Sequence, residues 1–140
     1  MSLKFTPENI TSLGDDEIFV FGSDPKGLRI GPAEETAIKY FGASREQPVG
    51  ICGQSYAIPT MFDSVDKIKP YVDDFISLAY EWDQTTFYIT RIGCGQAGFT
   101  DAEIAPLFAD ALPLYNIRLP ESFYRILTAD NYGSDASLLM

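Results

Sequence analysis

"FYITRIGCGQAGFTDAEIAPLF", Phe87 to Phe108, passes from a β-branched and aromatic stretch, through three glycines in six residues, into an amphipathic stretch. Thr85 to Thr90 is rich in residue types that fit a pleated, buried surface and predicts a strand. Thr100 and Glu103 have the spacing of a capping box, in which each side chain satisfies an N–H left without a partner at a helix start. Behind them Ile104, Leu107, Phe108, Ala111 and Leu112 recur by threes and fours, as the inner face of a helix does. Pro106 interrupts this pattern, so either the first turn is separate from the main helix or the helix begins near Ala105. A strand that feeds a helix through a glycine turn is the repeating unit of parallel α/β sheets.

The same alternation extends upstream. "EIFVFGS", Glu17 to Ser23, is a continuous apolar run, as in a strand buried on both faces. In "GPAEETAIKYFG", Pro32 suits a first helical turn, Glu34 and Glu35 complement the N-terminal dipole and Gly42 suits the stop. Ala37, Ile38 and Phe41 would share its buried face. Gln54 to Thr60 predicts a strand that Pro59 ends or places at an edge. Val65, Ile68, Val72, Phe75, Ala79 and Trp82 form the longest helical pattern, capped at Ser64 or started near Lys69 by Pro70. Ser122 to Thr128 fits a strand or a short helix, and the tail from about residue 129 reads as loosely packed or docked by Leu138 and Leu139. The order implies a single α/β domain over residues 1–140, with three α/β/α layers and a mainly parallel or mixed sheet.

Composition narrows the function. A chain of 140 residues with 46% hydrophobic residues can bury one core. Its net charge of -10 opposes nucleic-acid backbones and anionic membrane surfaces, so neither is expected as a partner. The N-terminal ten residues lack an apolar signal core and no window reaches the roughly 18 apolar residues of a membrane span, which points to a cytoplasmic protein. Cys52 and Cys94 are too few for a disulfide framework. With no histidine, Ser-His-Asp and Cys-His catalysis are excluded and a structural zinc site is not expected. No cofactor is implied.

Ligands of such sheets bind outside the carboxyl ends of the strands, which places "FGSDPKGLRIGP" and "RIGCGQAGF" on one rim. Gly93, Gly95 and Gly98 permit positive φ and close approach, so the N–H groups from Gly95 to Phe99 can form an anion-binding nest. The competing reading is that these glycines only reverse the chain. No Walker A lysine and no G-x-G-x-x-G is present. Arg91, ending its strand, suits either a phosphate or an ion pair with a nearby carboxylate. Cys94 is a nucleophile if a helix N-terminus lowers its pKa and otherwise an inert thiol. Asp24 suits a general base or ribose ligand, or an Asx turn before Pro25. Asp101 reads as dipole compensation in a first turn. Gln54 and Tyr56 are further candidates for the cleft.

"FVFGSD", "GQSYAIPT" and "TRIGCGQAGFTDAEIAPLF", in that order between Ile18 and Pro120, resemble a family of phage-associated bacterial proteins of uncharacterised function. More remotely, "IGCGQAGF" is similar to the diphosphate-wrapping turn of macrodomains, the ADP-ribose-binding modules. The resemblance implies that Gly93, Gly95, Gln96, Ala97, Gly98 and Phe99 line a diphosphate and distal ribose, with Cys94 lying among them in the turn. It implies a second wall at Gly22, Ser23 and Asp24 with the Gly27 to Gly31 loop; beside it, the residues themselves offer Arg29 and Arg91 as cations for a phosphate. The chain departs from the family pattern at "LRIGPAEE", where Pro32 has no N–H to donate. The expected function is binding of ADP-ribose or a related nucleotide diphosphate, with hydrolysis of ADP-ribose derivatives through Asp24 as an extension. The alternative is a catalytically inert protein-interaction module with a degenerate cleft.

Overall fold

The computed structural model describes residues 5–28 and 30–129, so Arg29 and the tail that carries Leu138 and Leu139 lie outside the described residues. Strand β1 (Glu17–Ser23) is followed by helix α1 (Pro32–Tyr40) and a short hairpin of β2 (Gly50–Cys52) and β3 (Ser55–Pro59). Helix α2 (Lys69–Glu81) leads to β4 (Thr86–Ile89), and α3 (Asp101–Ile104) runs into a 3-10 helix (Ala105–Ala111) before β5 (Ile117–Arg118). A helix over residues 121–129, α4, closes the described chain. The sheet order is β2-β3-β1-β4-β5, with every pairing parallel except the β2–β3 hairpin.

Alternation along the strands divides the core between two faces. Ile18 and Val20 of β1, Tyr56 and Ile58 of β3, and Phe87 and Ile89 of β4 point toward α2, the 3-10 helix and α4. Phe19, Phe21 and Ala57 point the other way, onto Ala37 of α1 and Phe41 just after it. This is a three-layer α/β/α arrangement. β1 lies at its centre, in keeping with its unbroken apolar run.

Proline and apolar spacing decide three local outcomes. Pro70 sits in the first turn of α2, where its missing N–H costs no helical bond, and Ser64 precedes a separate 3-10 turn without capping it. Pro106 likewise opens the 3-10 helix, so the capped turn Asp101–Ile104 is separate from the Ala105–Ala111 segment. Residues 121–129 are helical because Phe123 and Leu127, one turn apart, both enter the core. β3 falls within the strand expected over Gln54 to Thr60, whereas β2 and β5 escape the sequence patterns, since β2 is half-buried and β5 has only two residues.

Register places the carboxyl ends of three strands on one rim: Ser23 pairs with Pro59, and Val20 with Ile89. From β1 the chain goes through α1 to the β3 side of the sheet, then returns through α2 to β4 on the other side. That reversal opens a crevice between the loops after β1 and β4.

Candidate functional site

A cavity of about 330 Å³ occupies this crevice. Its walls are Gly22 to Asp24 after β1, Gly31 to Glu34 at the start of α1, Thr60 and Met61 after β3, and Thr90 to Ala97 after β4. The structure therefore brings together Gly22, Ser23, Asp24, Arg91, Gly93, Cys94, Gly95, Gln96 and Ala97 from the sequence expectation. Gly98 and Phe99 stay outside the lining. Gln54 donates to the Gly14 carbonyl at 2.8 Å and Tyr56 packs edge-on against Phe75, so neither reaches the cleft.

The glycine turn is held by its own backbone. Cys94 N–H donates to Arg91 O at 3.2 Å, Gly98 N–H to Gly95 O at 3.0 Å and Phe99 N–H to Gly93 O at 2.8 Å. The last two donors are thereby removed from the expected nest. The N–H groups of Gly95, Gln96 and Ala97 have no acceptor among the described residues. Gly93 has φ of +76°, and a Cβ there would lie 2.7 Å from Ile104 Cδ1. Gly95 has neither constraint: its φ is not positive and a Cβ would meet nothing within 4 Å.

Across the cavity, Gly31 caps α1 without a side chain and Pro32 occupies the first helical turn. A Cβ on Gly31 would come within 3.3 Å of Gln96 Cγ, so the two walls nearly meet at that point. The Ser23 hydroxyl is engaged by the Pro48 carbonyl. Asp24, 6% exposed, accepts from Lys26 N–H at 2.9 Å and Leu28 N–H at 3.1 Å, one on each oxygen. It organises the loop after β1 as an Asx turn does.

Arg91 pairs with Asp101, its Nη2 and Nε lying 2.8 and 3.1 Å from Oδ1. Burial acts to raise the Asp101 carboxyl, but hydrogen bonding with Cys94 and Arg91 outweighs it and holds the group below its usual value. Burial and the neighbouring Asp101 carboxylate push the Cys94 thiol up to about 12. That is opposite to the lowering a nucleophilic role requires, so Cys94 is a neutral thiol at pH 7.

The residue that sequence reasoning missed is Glu34. It lines the cavity at 4% exposure, and burial raises its carboxyl above the ordinary value. Arg45 attracts and Asp24 repels its charge. A role as dipole partner of α1 is chemically sound but leaves its burial out. Its place in the first turn of a helix that starts on the ligand rim is the signal that could have found it.

Comparisons with family models, with curated proteins and with solved structures find no match to this chain.

Proposed function

We propose that the crevice binds ADP-ribose or a related nucleotide diphosphate, with a phosphate seated on the turn after β4. Gly95 carries this reading. Gly93 is required by backbone conformation and by Ile104, whereas Gly95 answers to no steric or conformational need of the fold. A side chain at Gly95 would instead stand in the open space beside the unpaired N–H groups of Gly95 to Ala97, where an anion needs close approach. The cavity volume also falls within the range of small-molecule sites. The sequence resemblance to the macrodomain turn supports the same ligand class.

The proposed role is binding. Asp24 has both oxygens engaged by the loop's N–H groups, which favours an organising role over water activation. Calorimetry with ADP-ribose, AMP and NAD, repeated on Gly95→Val, tests the proposal. ADP-ribose should bind the native chain, and the valine should weaken it at least about tenfold by blocking the anion's approach, a loss on the scale of a charge-assisted hydrogen bond. Absence of heat with all three ligands, or equal binding by the variant, would remove the reading.

A second reading, an interaction module without a small ligand, draws on one observation. The cavity is lined by two carboxylates while its edge arginine is neutralised by Asp101. It is favoured if all three nucleotides fail to bind.

A further inference from the structure

Two glutamates occupy the third position of a helix in this fold, with opposite arrangements. Glu103 in α3 accepts from Thr100 N–H at 2.9 Å and completes the capping box. Glu34 in α1 follows Gly31, which has no capping side chain, and no hydrogen bond from any described residue reaches its carboxylate. Yet Glu103 is exposed and Glu34 is nine-tenths buried. Burying a carboxylate without hydrogen bonds is costly, and helix capping does not account for it here. Glu34 lines the cavity, where Arg45 attracts and Asp24 repels its charge.

We infer that Glu34 is the residue that reads the ligand's sugar, accepting hydrogen bonds from vicinal hydroxyls while the phosphate rests on the turn at Gly95 to Ala97. This rests on the nucleotide reading above and narrows it. A carboxylate beside Asp24 repels a phosphate seated at that wall and favours there a neutral group with hydrogen to donate. The ligand class is therefore a diphosphate that carries a pentose with free hydroxyls, and a bare phosphate chain is disfavoured. A Cβ on Gly31 would come within 3.3 Å of Gln96 Cγ, so the wall that bears Glu34 approaches the turn.

The test is calorimetry of the native chain, Glu34→Ala and Glu34→Gln with ADP-ribose and with inorganic pyrophosphate. Glu34→Ala should weaken ADP-ribose at least about tenfold, the scale of losing a hydrogen bond to a charged group, and Glu34→Gln by less. Pyrophosphate should bind both variants as well as, or better than, the native chain, because a like charge has been removed. Thermal melting of each variant establishes that it is folded, and the near-isosteric glutamine guards against a packing defect. ADP-ribose bound equally by all three chains overturns the role of Glu34 and leaves the nucleotide reading standing. Pyrophosphate bound by the native chain without ADP-ribose overturns the sugar subsite while keeping the anion turn. No binding of either by the native chain overturns the nucleotide reading itself, and this inference falls with it.

Discussion

Gly93 and Gly95 are two residues apart and are glycine for different reasons. At Gly93 any Cβ meets Ile104 and the backbone lies in the left-handed region. Gly93→Ala should therefore destabilise the fold by about 1–3 kcal/mol, the cost of holding a non-glycine residue in such a conformation, while Gly95→Ala stays within about 0.5 kcal/mol. Urea denaturation of the two variants measures the difference, and equal losses would mean that the turn makes the same demand at both positions. Glu34 gives a second prediction at this scale. Its folded carboxyl is raised above the ordinary value of 4.5, so its stabilising contribution is complete below that value and is lost as pH rises through the folded one. Glu34→Gln should accordingly stabilise the protein at pH 7 by about 0.5 kcal/mol, a small gain because water in the open cavity screens the charge. The gain should vanish below pH 4.5. A variant less stable than the native chain at pH 7 would show that the carboxylate supports the fold.

Among the elements, those legible in sequence are the ones whose burial matches a period. β1 is an apolar run buried on both faces, and α2 keeps Val72, Phe75 and Ala79 on one side. The capping box of α3 is present as the spacing of Thr100 and Glu103 requires. By contrast, β5 is defined by its neighbours: Ile117 pairs with Phe87 and Arg118 with Tyr88, and two residues carry no period. The candidate site divides the same way. The glycine turn announces itself through residue type, but which of its N–H groups remain unpaired depends on how the turn folds back on Gly93 and Gly95. Glu34 is marked in sequence only by its place in the first turn of a helix that starts on the rim, and its burial depends on where α1 lands. One side chain shows how elements are joined here. Buried Asn116 shares the two N–H groups of its amide among the carbonyls of Ala79, Trp82 and Thr85, at 2.9, 3.1 and 3.0 Å from Nδ2, tying the end of α2 to the approaches of β4 and β5. Asn116→Ala should cost about 1–3 kcal/mol by removing this donor from the Ala79 and Thr85 carbonyls, while Trp82 O keeps the Thr85 N–H, and a loss below about 0.5 kcal/mol in urea unfolding, the scale of a surface change, would assign those carbonyls to water.

For the whole molecule, charge separates the two functional readings. The chain carries a net charge of -10, and a nucleotide diphosphate is also an anion, so the two repel each other at long range. The contacts proposed for the turn act at hydrogen-bond distance, well inside the Debye length. Raising ionic strength from about 0.01 M to 0.15 M shortens that length from about 30 to 8 Å. This removes most of the distant repulsion while leaving the short contacts largely intact. ADP-ribose should consequently bind more tightly as salt rises over this range, and its association rate should increase. A basic protein partner drawn to the acidic surface would behave in the opposite way, since screening removes the attraction that steers it. Titration with ADP-ribose at the two ionic strengths makes the comparison. Affinity that falls with salt would mean that a local positive field outweighs the net charge, contrary to the cleft's two carboxylates and its neutralised arginine.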